Sequence, residues 1–176
     1  MLIVRRQRGV TLVELMIALA VFGILVMMAL PDYTAWIQNT KIRNAAESVQ
    51  NGLQLARAEA IRRNTDVSFV FGTASDWTVN VVAPAATVQS RSSAQGSSGV
   101  TVALLPAAST RVTFNSLGRI GVNADGSVAF TQVDFDVPTT VIPAAASHEL
   151  RVTVSSGGRI RMCDPSVTDT ADTRSC

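Results

Sequence analysis

Arg159 and Arg161, in the run Gly158-Arg159-Ile160-Arg161, are the side chains of this sequence best suited to holding a ligand. In an extended strand both project from one face about 6.6 Å apart, near the spacing of successive phosphates along a nucleic-acid strand. Guanidinium groups stay charged and donate two hydrogen bonds to one phosphate, so two such forks could grip neighbouring phosphates. Gly157 and Gly158 supply a turn without side-chain obstruction that would set the arginines at an exposed loop edge. The sequence offers no base-reading element, so contacts would fall on phosphate, weaken with salt and ignore base order. The same Arg/Ile/Arg/Met alternation also fits a half-buried edge strand whose outward charges deter aggregation, and the tetrapeptide alone favours that reading.

A second reactive feature is Glu14, the one charge in an apolar run of 21 residues from Val10 to Leu30. As a helix that run is about 31 Å long, close to the thickness of a bilayer core. A carboxylate there costs roughly 2.5 to 3.5 kcal/mol on insertion scales, which implies a partner. If the chain is cut after Gly9, the new amine on Val10 lies one helical turn from Glu14, and another subunit could offer its own amine to the same carboxylate. A secretory signal peptide has an apolar part of only about 7 to 15 residues, with its cleavage site after that part, whereas here the glycine comes first. The arginines Arg5, Arg6 and Arg8 before Gly9 place the N-terminus in the cytoplasm and everything after Leu30 on the far side. They also account for the positive formal charge: of 15 basic and 13 acidic side chains, three basic ones precede Gly9, leaving 12 against 13. Anion binding by the processed chain therefore needs local clustering of charge.

Cys163 and Cys176 are the only cysteines, and in an exported domain a disulfide is their natural reading. Closing that segment would stabilise by roughly 3 kcal/mol in the chain-entropy model and hold the tail beside Arg159 and Arg161, with Arg174 joining the patch if the tail folds back. Free thiols or a bridge to another chain are the alternatives. Two cysteines and the distant His148 fall short of a closed zinc site, and Asp164, Asp169 and Asp172 match no calcium loop, so no metal and no cofactor is expected. With one histidine and no nucleophile elbow, phosphate loop or dinucleotide fingerprint, the chain is not expected to be an enzyme.

The elements that would position these residues follow from periodicity. Gly23 weakens the apolar helix and Pro31 removes a donor opposite Met27, so the interval between them can bend or unwind. From Ala35 to about Arg63, Ile42, Ala45, Ala46, Val49, Leu53, Ala56 and Ala60 recur at threes and fours. Arg43, Glu47, Gln50, Gln54, Arg57 and Glu59 occupy the opposite face, and Asn64 ends the helix. A continuous helix from Val10 to Arg63 would make a spine of about 80 Å. Beyond Asn64 the period becomes two over Val67 to Phe71, Trp77 to Ala83, Val100 to Leu104, Arg111 to Phe114, Ser127 to Asp136, Leu150 to Val154 and Arg159 to Met162. Pro84 to Gly99 and Pro138 to Ser147 read as long loops. Strands following one helical region predict an α+β domain, with the helix laid over an antiparallel sheet.

The stretch Arg8-Gly9-Val10-Thr11-Leu12-Val13-Glu14-Leu15 resembles the processing site of type IV pilins and type II secretion pseudopilins. The resemblance implies a pilin-like fold, cleavage after Gly9 by prepilin peptidase, methylation of Val10, and assembly through Glu14. It also implies loosening of the helix between Gly23 and Pro31 inside a filament. Val10 stands where that family more often has phenylalanine or methionine. Leu53 to Asn64 followed by Trp77, Val112 to Arg119, and Leu150 to Arg161 are similar to the GspH/FimT branch, and with the N-terminus the resemblance covers most of the chain.

FimT-like minor pilins carry a C-terminal Gly-Arg-x-Arg motif associated with binding DNA in natural transformation, which implies that role for Arg159 and Arg161 and puts DNA binding ahead of the edge-strand reading. The expected organisation is a leader (1–9), a transmembrane and filament-core helix (10–30), the amphipathic half of the spine (31–64) and a periplasmic β domain with a disulfide-closed tail (65–176). Expected partners are other pilins or pseudopilins, prepilin peptidase, the inner membrane before assembly, and DNA. A structural role alone, as a GspH-like pseudopilin of type II secretion, is the alternative.

Overall fold

The structure, a computed structural model, describes residues 9–176; the leader arginines Arg5, Arg6 and Arg8 lie outside the described residues. One helix, α1 (Leu12–Arg63), runs unbroken for 52 residues. Thr11 caps it, its hydroxyl accepting from the Glu14 N–H at 3.2 Å. The Glu14 carboxylate sits in the first turn, where the helix dipole favours negative charge. The helix thus begins two residues after Val10. Pro31 lies within it without ending it, and the Thr34 hydroxyl donates to the Leu30 carbonyl at 3.0 Å. At the far end Asn64 takes the left-handed conformation at φ 50°, which asparagine tolerates better than most residues, and its N–H closes on the carbonyls of Ala60 and Ile61.

The two halves of α1 meet different surroundings. From Val10 to Leu30 the large apolar side chains are exposed, in a helix long and apolar enough to cross a membrane. From Ile42 to Ala60 all seven residues of the expected apolar stripe are wholly buried. Gly52 sits in the middle of that stripe, where a Cβ would come within 2.8 Å of Phe69 Cε2 and 3.1 Å of the Trp77 ring. The missing side chain lets the helix lie directly on an aromatic cluster, with Phe69 stacked on Trp77 at 5.4 Å and edge-on to Phe71 at 5.2 Å. Trp77 Nε1 donates to the buried Ser48 Oγ at 2.8 Å, so the cluster is also pinned by a polar contact.

The strands form two antiparallel sheets rather than the one expected. β1 (Val67–Phe71), β2 (Trp77–Val81), β3 (Ala86–Arg91) and β5 (Arg111–Phe114) make the first, in the order β3-β2-β1-β5. β4 (Thr101–Leu105), β6 (Gln132–Asp136), β7 (Leu150–Val154) and β8 (Ile160–Cys163) make the second, in the order β4-β6-β7-β8. Both lean on α1, and their inward residues Val67, Phe69, Val112, Phe114, Val133, Phe135, Val152 and Val154 complete one core.

Two further differences concern loops. The interval Pro84 to Gly99 is not wholly loop: it contains β3, an edge strand with no buried residue, hence without the apolar alternation that marks a strand in sequence. Conversely, Ser127 to Thr131 is not strand, although Phe130 is buried and its N–H donates to the Arg111 carbonyl. Pro138 to Ser147 remains loop apart from a 3-10 turn over Ala144–Ala146.

Candidate nucleic-acid interface and assembly helix

Arg159 lies at the end of the β7–β8 turn, immediately before β8, and is exposed. The turn is closed by Ser155 N–H to Arg159 O at 3.0 Å and by Gly158 N–H to Ser155 O at 2.7 Å, while Ser155 Oγ accepts from the Arg159 N–H at 3.1 Å. Gly158 takes φ +80°, which a side chain would strain, and a Cβ there would fall 1.9 Å from Gly118 O. Glycine is therefore required at 158 by conformation and by space. Among the described residues the Arg159 side chain makes no hydrogen bond and no ion pair, so its guanidinium is available to a ligand.

Arg161 is engaged differently. It is half-buried in β8, and its guanidinium donates to the carbonyls of Thr173 at 3.0 Å and Ser175 at 2.6 Å. The Cys163–Cys176 disulfide and the Asp164 N–H to Arg174 O bond at 2.8 Å fix the same tail. The tail does fold back: Asp164 bridges to Ser175 and Arg161 donates to the carbonyls of Thr173 and Ser175, so Arg174 is set beside the Arg161 guanidinium. It pairs with Asp172 at 2.7 Å, holding that carboxyl at about 2 chiefly through the side-chain hydrogen bond. It also lines a groove of about 430 Å³ with Trp36, Asn39, Thr40, Arg43, His148 and Met162. Asp164, Asp169 and Asp172 accept backbone N–H bonds from Ser166, Ala171 and Arg174, which shape the turns of the tail.

The chain also carries an internal repeat that no single motif reveals. The decapeptides 111–120, Arg-Val-Thr-Phe-Asn-Ser-Leu-Gly-Arg-Ile, and 151–160, Arg-Val-Thr-Val-Ser-Ser-Gly-Gly-Arg-Ile, agree at seven of ten positions with an offset of 40. Comparing the chain with itself would have found it. The two fold alike: the first also closes a turn, Asn115 N–H to Arg119 O at 2.9 Å and Gly118 N–H to Asn115 O at 2.8 Å, with Gly118 at φ +70°. They meet back to back through Ile120 N–H to Ser156 O at 3.2 Å and through the close approach of Gly118 O to Gly158. Arg57, placed by periodicity on the solvent face of α1, reaches over to this junction and donates from Nε to Gly118 O at 3.0 Å.

The helix half of the site is simpler. Thr11 and Glu14 stand at the start of an apolar stalk whose large apolar side chains are exposed among the described residues, an arrangement suited to lateral packing in lipid or among other helices.

These features match known proteins. Residues 45–158 match the family model described as Type II transport protein GspH, and residues 4–30 match the prokaryotic N-terminal methylation motif. The chain belongs to the GspH family. Its fold and N-terminal motif are those of the type IV pilin-like minor pilins and pseudopilins. Two fimbrial proteins of Pseudomonas aeruginosa are 35% identical to it over 63 residues, which is 36% of this chain and 40% of each of theirs. The chain therefore matches well under half the length of these curated relatives. The crystal structure of the type IV minor pilin FimU of Pseudomonas aeruginosa superposes with a TM-score of 0.50 at 19% identity, covering 73% of this chain and 92% of that one, a likeness of fold.

Proposed function

We propose that this chain is a minor pilin of a type IV pilus that binds DNA non-specifically during uptake. Prepilin peptidase cuts after Gly9 and methylates Val10; the apolar helix holds the chain in the inner membrane, N-terminus inward and β domain in the periplasm, until it enters the filament. Glu14 receives the amine of a neighbouring subunit, and the interval from Gly23 to Pro31 loosens only on packing, being helical in the isolated chain. The observation that carries the DNA reading is the exposed, unpaired Arg159 on a turn whose backbone leaves no room for a side chain at 158. Arg161 then serves partly by fixing the tail.

The test uses the full chain in detergent and a short duplex of mixed sequence, titrated by gel shift at several salt concentrations. Arg159→Ala is expected to weaken binding and flatten its salt dependence; unchanged binding would remove DNA from the reading. Mass spectrometry of the chain recovered from membranes is expected to show an N-terminus at methylated Val10. The family description favours a second reading, a pseudopilin of type II secretion with a structural role alone. Assembly through Glu14 with no affinity of the wild-type chain for DNA would select it.

A further inference from the structure

We infer that the second phosphate-gripping arginine of this chain is Arg119, and that the twin turns 115–119 and 155–159 form one composite site for the sugar-phosphate backbone of nucleic acid. The inference rests on the DNA reading above and relocates half of its site.

The repeat supplies two arginines at matched places. In each decapeptide the first arginine is neutralised within the fold: Arg111 Nε lies 2.9 Å from Asp125 Oδ2, and Arg151 donates to both oxygens of Asp134 at 2.6 and 3.0 Å. The second arginine of each, Arg119 and Arg159, is exposed, and its side chain has no hydrogen-bond or ion-pair partner among the described residues. The neighbouring Ile120 and Ile160 pack against the core, while Arg119 and Arg159 are exposed. The backbones that carry them are hydrogen-bonded through Ile120 and Ser156 and touch at Gly118 and Gly158. This fixes the two turns against each other without a flexible linker.

Arg57 adds a third cation at the base. Its Nε is bound to Gly118 O, and its terminal nitrogens make no hydrogen bond among the described residues and are not buried. Among the described residues Arg57, Arg119 and Arg159, like Arg91 and Arg161, have no carboxylate within ion-pair distance, whereas Arg43, Arg62, Arg63, Arg111, Arg151 and Arg174 do. Two rigid turns present two guanidinium groups with every donor free among the described residues, whereas Arg161 has its Nη2 bound to the carbonyls of Thr173 and Ser175.

The deciding experiment compares Arg119→Ala, Arg159→Ala and the double variant in the full chain in detergent, with a mixed-sequence duplex across a salt series. Any contribution from the leader arginines is common to all variants. Near-ultraviolet circular dichroism of the Trp77 environment checks the fold. Each single variant is expected to lose affinity about tenfold. Each is also expected to lower the slope of log affinity against log salt by about 0.9, the signature of one phosphate contact. Arg119→Lys is expected to keep the slope. If Arg159→Ala has these effects and Arg119→Ala binds like the wild type in affinity and slope, the composite site is wrong and the C-terminal motif stands alone. If neither variant changes binding, the DNA reading of the motif and the composite site fall together.

Discussion

The two halves of α1 are one continuous helix in two different environments. Between Val10 and Leu30 its large apolar side chains are exposed, whereas between Ile42 and Ala60 a single stripe is sealed against two sheets. Both are α-helical; what differs is which atoms exclude water from the side chains. The second half draws its stability from tertiary packing, as most protein helices do. Among the described residues the large apolar side chains of the first half are exposed, which leaves that surface free to pack on lipid or on other helices. Stability and assembly are therefore separable along one element, and substitutions in the two halves should affect different measurements.

The largest effect is expected at Leu53, wholly buried in the sealed half. Leu53→Ala should cost about 2 to 5 kcal/mol in denaturant unfolding of the full chain in detergent, followed by tryptophan fluorescence. A loss below about 0.5 kcal/mol would break the contrast. Next is Gly52→Ala, where the new Cβ would stand 2.8 Å from Phe69 Cε2. Crowding of about 1 to 3 kcal/mol should outweigh the gain of up to ~1 kcal/mol in helix propensity, so the melting point should fall; a rise would show that the helix can lift off the aromatic cluster.

A smaller effect belongs to Glu59, which accepts from Arg62 and Arg63 at 2.6 Å and whose carboxyl is held at about 2, below its ordinary 4.5, mainly by those hydrogen bonds. Because its folded pKa is depressed, the stabilisation is complete above 4.5 and is lost as pH falls towards 2. Glu59→Gln should cost under ~1 kcal/mol at neutral pH, given the exposure of its arginine partners, and the difference from wild type should vanish across that acid window. The smallest effect on folding is expected at Leu19, in the exposed half. Leu19→Ala should leave the unfolding midpoint within about 0.5 kcal/mol of wild type. A larger shift would mean that the stalk folds back on the domain.

Much of this contrast is legible in the sequence, because the helical period states which face is apolar, and β1, β5 and β7 have the bounds that alternation predicts. Alternation names the faces of a strand but not its partners, which is why one sheet was expected where two occur. β3 carries no buried side chain and so leaves no apolar trace. At the candidate site the sequence identified Arg159 and its glycine turn, and the cysteines that hold the tail. It could not show that Arg161 donates from Nη2 to tail carbonyls, since such acceptors exist at every residue and are chosen by folding. Arg57 was hidden for a related reason: a long side chain at a solvent-facing helix position can lie down along the surface to a partner 61 residues away.

The tail tied to β8 has a further consequence for crowding. β8 ends the second sheet, and the free edge of a terminal strand is a template on which another chain can add a strand. Here the segment from Asp172 to Cys176 returns to that margin, bridging Asp164 to Ser175 in parallel while Cys176 is bonded to Cys163. The segment screens the end of that margin at Asp164 and, through the Arg161 side chain, lies along it, which discourages copies from zipping together sheet to sheet at this place.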